Sequence, residues 1–205
     1  MINRVYLIPG GGHWGTGTYE RGPSIGLFSE LDVVDQYLPH IIDQLELAGI
    51  HYEVLNTRST PGLNKEEMKA LYDAKSLVLW LSCGWFHKTR VRNGSFVHFH
   101  ATSKNSQKVA FELLDALQEW GTCSAFGHVK NAPKPSSDDF LLGQNDSVCL
   151  KVEPFVLNGP NYEDYLRRLR PLGDEIGRFV SDLILTHNPS AGYKPQQYLK
   201  GTKTF

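Results

Sequence analysis

Leu77-Val-Leu-Trp-Leu81 is the stretch on which the fold turns. Five consecutive apolar side chains leave no polar face for water, and the run is too short for a buried helix. It therefore reads as a central strand covered on both sides. Toward the N-terminus, Arg4-Val-Tyr-Leu-Ile8 is a second such strand, stopped by Pro9 and three glycines. Between the two, Val34, Leu38, Ile41, Leu45 and Ala48 recur every three or four residues. That period predicts a helix over 30–48, with Ser29 as N-cap and Gly49 as its stop, and with Pro39 removing one backbone bond and bending it. A short strand is expected at 51–55. Asn64-Lys-Glu-Glu67 then has the spacing of a capping box and opens a short helix through Met68 and Leu71.

Toward the C-terminus, a basic loop at 88–93 leads into a strand at 96–101. Val109, Leu113, Leu114, Leu117 and Trp120 mark one face of a helix over 106–120. The last strand is expected at 148–156, followed by a helix over 162–185 interrupted at Pro171. Strands alternating with helices imply an α/β protein, a three-layer sandwich with a mostly parallel twisted sheet flanked by helices. Residues 1–186 form the expected single domain, and 187–205, rich in Pro, Gly, Lys and Gln without periodicity, form a flexible C-terminal tail.

With 205 residues, 40% of them hydrophobic, the chain can bury a core without covalent staples. Its 21 Lys and Arg balance 22 Asp and Glu, so the broad basic footprint of a nucleic-acid binder is missing. Cys83, Cys123 and Cys149 are odd in number and far apart, which fits neither a disulfide framework nor a paired-cysteine metal site. The apolar stretch near Met1 is shorter than a signal-peptide core, and no run approaches the roughly 18 apolar residues of a membrane span. The expectation is synthesis in the cytoplasm, without a signal peptide, as a monomer.

Three residues stand where chemistry is done. His13 follows the first strand in Pro9-Gly-Gly-Gly-His-Trp14, and ligands bind beyond strand C-termini in α/β sheets. A phosphate cradle is disfavoured there, because no Lys-Ser/Thr follows the glycines. Glu30 opens the first helix, where a carboxylate is also welcome simply beside exposed backbone amides. Glu153 stands near the end of the apolar strand Leu150-Lys-Val-Glu-Pro-Phe-Val-Leu157, where an unpaired charge is costly. It needs either a partner, such as a lysine or arginine, or a catalytic task.

Taken in order, these residues resemble the zinc-dependent N-acetylmuramoyl-L-alanine amidases, which include the catalytic domains of phage endolysins. The shared pattern is a strand, a Pro-Gly-His loop, a glutamate opening a long helix, an apolar strand, and a late strand with a glutamate. Val152-Glu-Pro-Phe155, with Asn158 and Tyr162-Glu-Asp-Tyr165, looks like the family's segment before its last helix. The resemblance spans roughly residues 3–185. It implies a hydrolase of the amide between N-acetylmuramic acid and L-alanine in peptidoglycan, using zinc-activated water, with His13 and Glu30 as Zn2+ ligands and Glu153 as catalytic proton carrier. It also implies a muropeptide substrate and action on the cell wall after release.

The departure is at the third ligand. The resemblance places a histidine at the end of the central strand, where Trp80-Leu-Ser-Cys-Gly84 carries Ser82. Gly94-Ser-Phe-Val-His-Phe-His100 brings two histidines nearby, and alternation puts His98 and His100 on one face, Val97 and Phe99 on the other. His98 is the expected replacement, with His100 and Cys83 as alternatives, on the premise that strand 96–101 lies beside strand 77–81. Two other readings stay open: a catalytically impaired amidase-fold protein that binds muropeptide, and another zinc-dependent peptidase or amidohydrolase. His40, His51, His87, His128 and His187 read as surface residues. Trp14, Tyr19, Trp85 and Phe86 are candidates to stack on sugar.

Overall fold

The structure, a computed structural model, describes residues 2, 4–10, 24–55, 75–85, 94–100, 102–119, 134–136 and 147–187. In chain order its elements are β1 (Arg4–Pro9), β2 (Ser24–Ile25), β3 (Phe28–Ser29), α1 (Glu30–Leu47), β4 (Tyr52–Val54), β5 (Ser76–Leu81), β6 (Phe96–His100), α2 (Lys104–Glu119), β7 (Lys134–Ser136), β8 (Val148–Glu153), α3 (Tyr162–Leu166) and α4 (Leu169–His187). The expected helix at 64–71, the basic loop at 88–93 and the tail from 188 onward lie outside the described residues. No helix among the described residues is long and apolar enough to cross a membrane.

Among the described residues, six strands form one sheet in the order β4-β1-β5-β8-β6-β7, while β2 and β3 form a separate hairpin. The pairs β1–β4, β1–β5, β5–β8 and β6–β7 are parallel, and β6–β8 is antiparallel. The α/β class and the mostly parallel sheet are therefore as expected. One pairing is not: β6 does not lie beside β5. A strand has two edges, and those of β5 are filled by β1 and β8. Strand β6 takes the far edge of β8 instead, with His98 opposite Lys151 and Phe96 opposite Glu153.

Alternation along the strands builds the core. Leu7, Leu79, Leu81, Val97, Phe99, Leu150 and Val152 join Val34, Ile41 and Leu45 of α1, Leu113 and Leu117 of α2 and Ile176 and Val180 of α4 in one cluster. The opposite face is covered too, since Tyr6, Ile8 and Val78 are buried. Helix α1 runs on through Pro39. The break expected at Pro171 falls earlier, between α3 and α4, so this proline sits in the first turn of α4, where its missing N–H leaves nothing unpaired.

Helices α1 and α4 cross closely along Gly173, Gly177 and Ser181. A Cβ at 173 would press on the Tyr37 carbonyl oxygen and come within 2.7 Å of His40 Cβ, and one at 177 would lie 2.6 Å from Gln44 Cβ. Ser181 Oγ donates to the Gln44 carbonyl at 3.3 Å. Past the end of α1, Gly49 takes φ +68°, a left-handed conformation that a Cβ disfavours. Space around it is open, so Gly49→Ala isolates the backbone effect. Urea unfolding should show a loss of about 1 kcal/mol; an unchanged midpoint would mean that the left-handed turn is not required.

Candidate active site

The ends of β1, β5 and β8 and the start of α1 meet at one edge of the sheet. A capping box fixes that start: Asp32 N donates to Ser29 Oγ at 3.2 Å, and Ser29 N donates to Asp32 Oδ2 at 3.0 Å. Glu30, the first residue of the helix, is thereby turned inward and is buried at 8% exposure. Its Oε1 accepts two hydrogen bonds from the end of β5, a short one from the Ser82 hydroxyl and one of 3.1 Å from the Cys83 amide. Gly10 lies so close that a Cβ there would fall 2.5 Å from the Leu81 carbonyl and 3.1 Å from Glu30 Oε1. Tyr37, two turns into α1, donates from its hydroxyl to the Ser82 carbonyl at 3.3 Å. Burial raises the Glu30 carboxyl above its ordinary value, against the opposing bonds from Ser82 and Cys83 and the charge of Lys151.

Glu153 sits on the neighbouring strand with both oxygens engaged. Lys151 Nζ lies 3.0 Å from Oε1, and His98 Nε2 lies 3.1 Å from Oε2, a close contact that is off the line of a hydrogen bond. Lys151 also stands 4.4 Å above the Trp80 ring, which holds its ammonium over the sheet. Burial by itself raises the Glu153 carboxyl, yet His98 and Lys151 outweigh it and hold the group down at about 2. Both carboxylates raise the Tyr37 hydroxyl further, after burial has already lifted it well above its ordinary value.

A bulge sets the direction of this edge. Ser82 N donates to the Val152 carbonyl and Gly84 N to the Phe155 carbonyl, so two steps on the β5 side match three on the β8 side. The extra residue falls in Glu153-Pro154-Phe155, where Pro154 has no N–H to lose. The Pro154 carbonyl is held by the Ser95 hydroxyl at 2.6 Å. Phe155 is anchored by stacking on Tyr165, with ring centroids 5.1 Å apart.

Glu30 and Ser82 are thus in contact, and His98 is in contact with Glu153. His13 lies outside the described residues, as do Trp14, Tyr19 and Phe86, while Trp85 packs against the core. Cys83 faces that core cluster, on the other side of the strand from Ser82, and burial raises its thiol well above the ordinary value. His100 is turned into its own loop, where Thr102 N donates to Nδ1 at 3.3 Å. Lys151 went unassigned in the sequence, although its place two residues before Glu153 puts both on one face.

Among the described residues, no group of three His, Cys, Asp or Glu side chains could hold a metal ion. The donor chemistry agrees. Glu30 Oε1 already accepts two bonds, Ser82 offers a neutral hydroxyl where the family resemblance calls for an imidazole, and His98 belongs to Glu153 across the width of β8. Among the described residues, Glu30, Ser82 and His98 do not make up a three-ligand zinc site.

The chain is similar to solved structures of N-acetylmuramoyl-L-alanine amidases. Ami1, an N-acetylmuramyl-L-alanine amidase from Mycobacterium smegmatis, superposes with TM-score 0.68 at 17% identity, covering 89% of this chain and 97% of that one. The fold is that of these amidases. AmiC2 of Nostoc punctiforme, an N-acetylmuramoyl-L-alanine amidase, gives 0.66 at 14% identity over 91% of this chain and 97% of its own. The catalytic domain of an endolysin targeting Clostridia difficile gives 0.62 at 16% identity over 91% and 98%. No family model and no curated protein matches the sequence.

Proposed function

We propose that this protein works on peptidoglycan, taking muropeptide at the edge formed by β5, β8 and the start of α1. The observation that carries this reading is that Glu30, bonded to Ser82 just past β5, and Glu153, at the end of the adjoining β8, share that edge, in the fold of proteins named as N-acetylmuramoyl-L-alanine amidases. Glu153 and Lys151 are the groups that face the amide between N-acetylmuramic acid and L-alanine. The carboxylate accepts from its N–H, and the ammonium donates to its carbonyl.

This reading has two forms. In the hydrolytic form Glu153 carries a proton from water to the leaving amine. In the second form muropeptide is bound and left intact, and two observations favour it: the closure of Glu30 by Ser82, and the low value of Glu153. A carboxylate held at about 2 is a weak base, whereas proton transfer at neutral pH is served best by a group titrating near that pH.

Calorimetry with purified muropeptides, followed by assay for newly freed L-alanine N-termini, tests both forms. Saturable binding that weakens in Glu153→Gln is expected. Freed N-termini above the no-protein control would establish the hydrolytic form. Neither binding nor release would reject peptidoglycan as the ligand.

A further inference from the structure

We propose that the Glu30 carboxylate is a structural tie that has taken the place of a metal ligand, closed from within by Ser82 and Cys83, so that this edge folds without a metal. Three observations converge on it. The same oxygen, Oε1, accepts both the Ser82 hydroxyl and the Cys83 amide, so this oxygen takes both of its donors from the end of β5. The approach is tight on the side of β1, where Gly10 leaves no room for a Cβ between Glu30 Oε1 and the Leu81 carbonyl. Tyr37 then fixes the carbonyl of Ser82 itself, so helix α1 grips the end of β5 at two points, about two turns apart along the helix. A single hydroxyl at position 82 therefore joins strand to helix. An imidazole there would have to displace that bond.

The tie predicts behaviour that a metal site would not show. Glu30→Gln keeps an oxygen that can accept from both Ser82 and Cys83, so the fold should survive it. Ser82→Ala removes the hydroxyl and leaves a buried carboxylate short of a donor, whereas Ser82→Thr retains the group.

The test uses the full chain, purified after incubation with zinc sulfate and dialysis, with zinc content and melting temperature measured with and without a chelator. The tie requires zinc well below one per chain and melting that the chelator does not change. It also requires Glu30→Gln to melt near the wild type, Ser82→Ala to melt lower by about 3–12 °C, and Ser82→Thr to recover most of that loss. One zinc per chain in the wild type, lost together with thermal stability in Glu30→Gln and in His13→Ala, would overturn it. Equal melting of Ser82→Ala and wild type would overturn it as well. Neither readout involves muropeptide, so the result stands apart from the ligand proposed above.

Discussion

Gly173→Leu is expected to lower the melting temperature by about 6–12 °C or more, the largest loss of stability among the substitutions considered for this chain. In a solvated helix the change would be favourable by about 1 kcal/mol, because leucine is a better helix former than glycine. Here the added Cβ meets the Tyr37 carbonyl oxygen and His40 Cβ, and the first of these is backbone that cannot rotate aside. Overpacking a core commonly costs about 1–3 kcal/mol and more when backbone must move, against a total stability of roughly 5–15 kcal/mol. The strain does not stay local. Pushing α1 away from α4 also shifts Tyr37 and Glu30, which hold the end of β5. Thermal melts of Gly173→Ala and Gly173→Leu should form a descending series, and a leucine variant as stable as the wild type would contradict the close crossing.

The second large effect is at acid pH. Glu153 is held at about 2 in the folded chain, against an ordinary 4.5. A carboxyl with a depressed folded value contributes stability that is present above the unfolded value and disappears as pH falls through the folded one. Between pH 4.5 and about 2 the wild type should therefore lose on the order of 3 kcal/mol through this residue. Glu30 acts in the opposite sense, since its raised value means that protonation on acidification adds stability. The comparison of wild type with Glu153→Gln isolates the Glu153 part. At neutral pH the variant leaves the half-buried Lys151 without its anion and forgoes that same contribution, on the order of 3 kcal/mol. Urea unfolding in steps from pH 7 to pH 2 should show the two proteins converging. Parallel profiles would show that the carboxylate is not clamped.

The strands at the centre of the sheet were legible because burial on both faces writes itself as an unbroken apolar run, as in Leu77-Val-Leu-Trp-Leu81 within β5. Helix α1 was legible from its period, its N-cap and Gly49. The hairpin at Ser24–Ile25 and Phe28–Ser29 was not, since two residues per strand are too few for alternation to register. Nor was β7, whose Lys134-Pro-Ser136 lacks strand-favouring residues and carries a proline tolerable only at a sheet edge. At the site, the acid at 153, near the end of an apolar strand, announced that it needed a partner. Its partner Lys151 follows from alternation alone, but its contact with His98 depends on the register of β6 against β8, which no local pattern encodes. Ser82 looked like a loss when set against the family pattern. Its bond to Glu30 becomes visible only once the helix start and the strand end are brought together.

The strand order bears on how the chain assembles as it is synthesised. β5, with its run of apolar side chains, is paired with β1 on one edge, and its other partner is β8, which comes late in the chain at Val148–Glu153. A nascent chain that has not yet reached residue 148 therefore carries an open, unpaired edge on its most apolar strand. Such edges invite pairing with other chains. Closing the seam joins segments far apart in sequence, which slows the step relative to local helix formation. Arrested or truncated chains ending before β8 should accumulate in the insoluble fraction, while chains extending through α4 can cover both edges of β5 and the apolar face beneath them.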